Sequence, residues 1–355
     1  MKQRLKVAVS LAVTAFFLWL ALRGVEWREV ATQLREANWL YLVLAAVIGT
    51  LGVHVRALRM KTLLAPVDPH VAFRPRVAGA AVGLAANNLI PARVGEVVRA
   101  VVTARLAKLP VSAVFAALVV ERVLDGVITV ALLFGVMALP GFPDPERAQG
   151  ALTAVRIVAL VMAVIGIVLI AMALLPRHSA RLAEATVGRV LPERLRAPFL
   201  ARLDEFIAGL AVLRNPGLLV LSVGWAVGQW LFITLSIWLA FLAFGIHEPG
   251  YVGALFLQCA INLAVAVPAA PGFFGPLEAA AAFGLGLWGV EKARAVSFAI
   301  GWHLGGYIGV TVLGLWYAQR LGLSWGELVG SAGKAEAKAG AGADPALVSE
   351  DERRA

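Results

Sequence analysis

Seven ionisable side chains lie where an apolar chain should not tolerate them. The run NNLIPARVGEVVRA, Asn87 to Ala100, carries Arg93, Glu96 and Arg99, and a later apolar run contains VVERVLDGV with Glu121, Arg122 and Asp125. Arg56 sits near the end of an upstream apolar stretch. At helical spacing Glu121 and Asp125 share one face with Thr129 a turn further on, Arg122 reaches Asp125 at i, i+3, and Glu96 and Arg99 share a face in the same way. A charge at mid-bilayer costs on the order of 2.5–3.5 kcal/mol on insertion scales, so such groups should face one another or a wet cavity. Arg56, Arg93, Arg99 and Arg122 oppose Glu96, Glu121 and Asp125, which leaves one positive charge over. That excess suits an anionic headgroup. The two carboxylates at i, i+4 could also act as a general base on a lipid phosphate, but no nucleophile pair or metal set accompanies them and no catalytic residue is assigned.

A second set of polar and chain-breaking residues recurs later. Pro91 and Gly95 interrupt the first motif after Asn88; Pro268, Pro271, Gly272 and Gly275 interrupt a second apolar region between Asn262 and Glu278. Proline removes a backbone donor and glycine permits a turn, so each region is expected to bend and free polar groups that need protein or water around them. His303, the one intramembrane histidine of that half, is a candidate proton carrier.

The elements that would hold these residues follow from composition. Of 355 residues, 60% are hydrophobic and 15% charged, against roughly 25% charged in soluble domains. The formal charge of +10 falls in short segments between apolar runs rather than along one soluble face, which excludes a nucleic-acid partner. Cys259 alone supports no intramolecular disulfide framework. His54, His70, His178 and His247 are scattered, so neither a metal nor a cofactor is expected. GLGLWG at Gly284 to Gly289 has dinucleotide-loop spacing without a preceding strand, and no phosphate-binding loop for ATP occurs. The pairs Gly79/Gly83, Gly301/Gly305 and Gly305/Gly309 read as close helix packing.

Apolar runs near 7–22, 39–58, 112–139, 152–175, 217–244 and 295–318 are long enough to cross a hydrocarbon core of about 30 Å. Regions 71–106 and 250–290 are broken centrally, with second arms too short to span. The expected fold is therefore an all-α polytopic membrane protein with six spanning helices and two re-entrant helical hairpins. With an uncleaved first span and a cytoplasmic N terminus, nineteen lysines and arginines fall inside, Arg59, Lys61, Arg74 and Arg76 among them, against six outside. This orientation puts both termini in the cytoplasm at the inner membrane. Apolar positions from Leu195 to Leu210 predict an amphipathic helix lying in the membrane plane. The tail from 326 to 355 is biased in Gly, Ala and charge and is expected to be disordered.

The chain also repeats itself. Gly79–Leu89 aligns with Gly253–Leu263, matching Asn88 to Asn262; further on Glu96 meets Glu278, Glu121 meets His303, Asp125 meets Tyr307 and Thr129 meets Thr311. Asn38 and Asn215 precede corresponding spans. An odd number of crossings between units, about 26–139 and 202–320, makes the repeats inverted, the build of many alternating-access transporters.

The ordered motifs Asn88-Pro91-Arg93-Gly95-Glu96-Arg99, Glu121-Arg122-Asp125 and Pro271-Gly272-Gly275-Glu278 resemble those of the lysylphosphatidylglycerol synthase transmembrane-region family, over roughly residues 5–320. The resemblance implies a flippase-like membrane domain that moves aminoacylated or otherwise modified lipid between leaflets, with a separate enzyme making that lipid. Phe273 stands where the family commonly has a second glycine, which is expected to reshape the second hairpin. No soluble aminoacyltransferase segment follows Arg320, so this chain is not expected to be an enzyme. The resulting expectation is a lipid translocase whose headgroup site is lined by Arg56, Asn88, Arg93, Glu96, Arg99, Glu121, Arg122, Asp125, Asn262, Glu278 and His303. The alternative is a scaffold for a lipid-modifying enzyme or glycosyltransferase of the envelope.

Overall fold

A chain in lipid must satisfy its backbone internally, and among the described residues every regular element of the computed structural model is helical. The structure describes residues 2–90, 94–140, 142–143, 149–190, 193–265 and 271–323; Pro91, Arg93, Pro268 and the tail lie outside them. Among the described residues thirteen α-helices follow in order: α1 Lys2–Leu22, α2 Trp27–Glu36, α3 Trp39–Leu64, α4 Phe73–Leu89, α5 Gly95–Ala107, α6 Val111–Met137, α7 Gln149–Leu174, α8 Pro176–Val190, α9 Glu193–Gly209, α10 Pro216–Ala243, α11 Gly250–Ala264, α12 Pro276–Gly286 and α13 Lys292–Arg320.

Three of these, α3, α10 and α13, are long and apolar enough to cross a membrane, and a fourth crossing arises if α7 and α8, bent by 106° at Leu175, count as one. The bend falls where Pro176 disfavours a helical conformation in the residue before it. Helix α6 has 27 residues, but Glu121, Arg122 and Asp125 interrupt its apolar character. The Leu11–Leu22 part of α1 is a shorter apolar helix.

Asparagines start both α3 and α10. Asn38 Oδ1 accepts from the Leu40 and Tyr41 amides, and Asn215 Oδ1 accepts from Leu218, each satisfying donors that a helix start otherwise leaves open. The two helices run antiparallel: the Asn38 amide donates to Ala243 O at 2.8 Å and Ser236 Oγ donates to Ala45 O at 2.7 Å. Helix α13 lies parallel to α3, with Gly305 opposite Ala46 and Gly309 opposite Thr50.

Two antiparallel helix pairs fill the remaining space. In the first, Gly79 of α4 faces Thr103 of α5 and Gly83 faces Arg99 and the Gly95 carbonyl; in the second, Gly284 of α12 faces Leu257 of α11 while Gly253 faces Trp288. The glycine pairs therefore do pack helices closely. A Cβ at Gly83 would lie 2.7 Å from both Arg99 Cβ and Gly95 O, whereas one at Gly135 would meet nothing within 4 Å. Gly83→Val is thus expected to lower stability by about 1–3 kcal/mol, as overpacking does, and Gly135→Val to leave it nearly unchanged. Thermal unfolding of both variants in one detergent checks this.

Two short amphipathic helices close the ends. Helix α2 buries Val30 and sets Leu34 against Gly301 of α13, and α9 buries Ile207 while Gly209 abuts Ala113 and Ala116 of α6. The amphipathic segment expected in the membrane plane thus seats its end on α6, although Phe199 stays exposed.

Candidate functional site

Helices α3, α5 and α6 meet around a charged cluster. Glu121, fully buried on α6, receives Arg99 of α5 as a fork: Nη1 donates to Oε1 at 2.7 Å and Nη2 to Oε2 at 2.9 Å. Such two-pronged pairing is the strongest geometry open to these groups. Arg122 Nη2 donates to Glu121 Oε1 at 2.8 Å. Arg59 of α3, wholly buried, pairs with Asp125 through Nη1 and donates from Nη2 to the Glu121 carbonyl at 3.1 Å. Arg99 also reaches Met60 Sδ at 3.3 Å.

Around this closed centre lies a more open rim. Arg56 approaches Glu121 at 3.9 Å, Arg122 approaches Glu96 at 3.6 Å and Asp125 at 3.5 Å, and Arg99 approaches Glu96 at 4.0 Å. The side chains of Arg56, Glu96 and Arg122 are 13%, 31% and 38% exposed, against 4% or less for Arg59, Arg99, Glu121 and Asp125. Glu96 Oε2 and Asp125 Oδ2 lie at ion-pair distance from arginines but accept no hydrogen bond. Four arginines face three carboxylates, so the described cluster keeps one positive charge.

Arg59 and Arg76 overturn a sequence expectation. Both were assigned to an inner loop, yet α3 continues through Met60, Leu63 and Leu64, all fully buried, and carries Arg59 inward. Arg76 is buried in α4, where Nη1 donates to Ala57 O at 2.6 Å and ties α4 to α3. Removing these two from the inner tally leaves the basic asymmetry in the same direction.

The second half holds a smaller pair. Glu278 Oε1 meets His303 Nδ1 at 2.6 Å, and Glu278 Oε2 accepts from the Gly275 amide at 2.6 Å, closing the start of α12. His303 Nε2 lies 2.8 Å from the Gly272 carbonyl. A carbonyl can only accept, so Nε2 donates to it and Nδ1 is the ring atom that faces the carboxyl. Phe274 covers the imidazole with ring centroids 4.5 Å apart.

Each half reaches across to the other. Asn88 Nδ2 donates to Thr311 Oγ1 on α13 at 2.9 Å, and Asn262 Nδ2 donates to Thr129 Oγ1 on α6 at 2.7 Å. Tyr307 adds a bond from its hydroxyl to Asn88 O at 3.3 Å. Helix α6 thus presents Glu121, Asp125 and Thr129, and α13 presents His303, Tyr307 and Thr311, as three rungs at i, i+4 and i+8. The first rung binds the adjoining helix pair, through Arg99 or Glu278. The last binds the opposite pair.

Every candidate residue that the structure describes falls into one of these connected sets: Arg56, Glu96, Arg99, Glu121, Arg122 and Asp125 in the first, Glu278 and His303 in the second, Asn88 and Asn262 in the links. Gly95, Pro271, Gly272 and Gly275 lie at or beside the turns, with the Gly95 amide donating to Asn87 Oδ1 at 2.8 Å. Among the described residues no three His, Cys, Asp or Glu side chains gather as metal ligands would.

The departure at Phe273 has a backbone consequence. Phe273 has φ 63°, beside Gly272 at φ 77° and Gly275 at φ 99°. Phenylalanine therefore keeps a left-handed conformation natural to glycine, where an L side chain costs roughly 1–2 kcal/mol. Phe273→Gly is expected to unfold at a higher temperature than Phe273→Ala, by the equivalent of about 1 kcal/mol. Equal melting of the two would remove strain from the account.

Apolar helices around a polar interior define a multi-pass, all-helical membrane protein. The chain belongs to the lysylphosphatidylglycerol synthase TM region family, whose profile matches residues 7–314. It is also 26% identical, over 326 residues, to a Haloferax volcanii protein named glycosyltransferase AglD, in an alignment covering 84% of this chain and 51% of that protein. The chain thus spans about half the length of this relative. No solved structure matches it.

Proposed function

We propose that the protein is a lipid translocase of the cytoplasmic membrane, carrying an amphiphile's charged headgroup through its polar interior while the tails stay in the bilayer. The observation that carries this is the net-positive ion-pair cluster with an accessible rim. Arg59, Arg99, Glu121 and Asp125 are closed and position the rest, while Arg56 and Arg122 present cations to a lipid phosphate. Glu96, whose carboxylate side chain is part-exposed on the same rim, is an acceptor for the ammonium of an aminoacylated lipid or the hydroxyls of a glycosylated one. The family's association with lysylphosphatidylglycerol supports the first chemistry, and the name of the Haloferax relative supports the second.

In this reading six helices cross the membrane, α4–α5 and α11–α12 are re-entrant hairpins entering from opposite sides, and both termini are cytoplasmic. The alternating helix directions, the matching asparagine caps and the reciprocal Asn–Thr bonds all support inverted repeats. Such repeats let two related halves exchange conformations around one site. Another enzyme makes the lipid that this chain moves.

Reconstitution into liposomes with fluorescent phosphatidylglycerol, an aminoacylated derivative or a polyprenyl-phosphate sugar tests the proposal. Native protein is expected to speed transbilayer movement of at least one of them, and Arg122→Gln to slow it about tenfold, the loss of one charge-assisted contact. Movement no faster than in protein-free vesicles for all of them would overturn it. The second reading is a scaffold for a lipid- or glycan-building enzyme, favoured by the name and greater length of the Haloferax relative. That reading requires a partner enzyme's activity to fall on deletion of this protein and to survive Arg122→Gln.

A further inference from the structure

A cleft of about 320 Å³ lies between the end of α13 and the start of α4, lined by Arg74, Trp316, Tyr317, Arg320 and Leu321. None of these residues belongs to the ion-pair cluster or to the Glu278–His303 pair. We propose that this cleft binds the phosphate headgroup of an anionic phospholipid from the surrounding bilayer, at a site separate from the translocation path.

Four features converge on that ligand. Arg74 and Arg320 are both exposed, and neither has a carboxylate at ion-pair distance among the described residues. Arg320 is instead held over the Trp316 ring, 5.4 Å from its centroid, a stacking that orients the guanidinium and leaves its donor edge free. Helix α4 begins at Phe73 with no side-chain cap, so its open amides add positive potential beside Arg74. The carbonyls at the end of α13 do not cancel this, because Tyr317, Ala318 and Gln319 accept from Leu321, Leu323 and Gly322.

The remaining lining selects a lipid over a free ion. Trp316 and Tyr317 meet edge to face at 4.7 Å, and with Leu321 they offer an apolar wall against which a glycerol backbone and upper acyl chain can lie. Aromatic residues and arginines at the end of a spanning helix sit at the depth of lipid phosphates. A dissolved phosphate would use the cations and waste the wall.

The experiment uses the full chain in phosphatidylcholine nanodiscs doped with phosphatidylglycerol, with bound lipid read by native mass spectrometry after gentle release. Native protein is expected to retain phosphatidylglycerol in preference to phosphatidylcholine. Arg74→Gln/Arg320→Gln should weaken that retention about tenfold, and Arg74→Lys/Arg320→Lys should preserve most of it. Both pairs are exposed, so melting temperatures should match the native value and separate lost binding from lost fold. Equal retention by the glutamine pair, equal retention of phosphatidylcholine, or release of the lipid by equimolar inorganic phosphate would each overturn the proposal. The same comparison in an Arg122→Gln background, which removes a cation that the translocase reading assigns to lipid phosphate, should show the same fall with the glutamine pair, and its disappearance there would overturn the proposal, so the two readings fail separately.

Discussion

Asp125→Leu is expected to cost roughly 3–5 kcal/mol of stability, because it leaves Arg59 charged, fully buried and without its carboxylate. Arg59→Met should cost a similar amount, since Asp125 then keeps only the more distant Arg122. The double variant Arg59→Met/Asp125→Leu removes both charges and puts apolar side chains of comparable size in their place. Buried ion pairs replaced in this way are often neutral or better, so the double variant should recover to within about 2 kcal/mol of the native protein. The shortfall reflects the lost bond from Arg59 to the Glu121 carbonyl. Unfolding in matched nanodiscs measures all three. If the two single losses simply add in the double variant, the groups are not coupled and the cluster is not held together as described.

The reciprocal links make the second large expectation. Asn88→Ala releases the tip of the α4–α5 pair from Thr311, and Asn262→Ala releases the tip of the α11–α12 pair from Thr129. Intramembrane hydrogen bonds average about 0.6 and reach about 1.7 kcal/mol, so each loss should raise opening of its own tip roughly three- to eighteenfold. Cys259 is the sole cysteine, and a Cys259→Ser background permits single reporters at Leu89→Cys and Ala264→Cys. Maleimide labelling should rise at position 89 with Asn88→Ala and at position 264 with Asn262→Ala. A rise at both reporters from either substitution would mean that the tips open together, which alternating exposure of a central site forbids.

Much of this was legible before any coordinates. Charges in an apolar chain are conspicuous, and the period of the helix brings Glu121, Asp125 and Thr129 to one face without further information. The spacing of Arg122 and Asp125 likewise implied the contact observed at 3.5 Å. Arg59 was misread because RALRMK looks like the polar end of a span. The missed signal was continued periodicity: Arg56 and Arg59 stand at i, i+3, and Met60, Leu63 and Leu64 extend the apolar face beyond them. Helix α2 was missed for a related reason, its interleaved arginines and glutamates resembling a solvated loop although Val30 and Leu34 keep helical spacing.

Other features had no linear signature. The alignment of the two halves pairs Asn88 with Asn262 and Thr129 with Thr311, but it cannot say that each asparagine bonds to the opposite half's threonine. That crossing arises only when the halves pack. The left-handed backbone at Phe273 was hidden likewise, since sequence announces a positive φ through glycine and here the glycine is missing.

Helix α1 has a consequence for how the protein is made. Its Leu20 carbonyl and that of Arg23 just beyond its end accept from Lys292 Nζ at 3.3 and 2.8 Å, and its Thr14 and Phe17 lie against Gly275. These partners are encoded up to 272 residues downstream. At about 5–20 residues per second of synthesis, α1 leaves the ribosome roughly 15–55 s before its docking surface exists. During biogenesis it must therefore be kept by lipid or by the insertion machinery, and it becomes the last brace to lock onto the finished bundle.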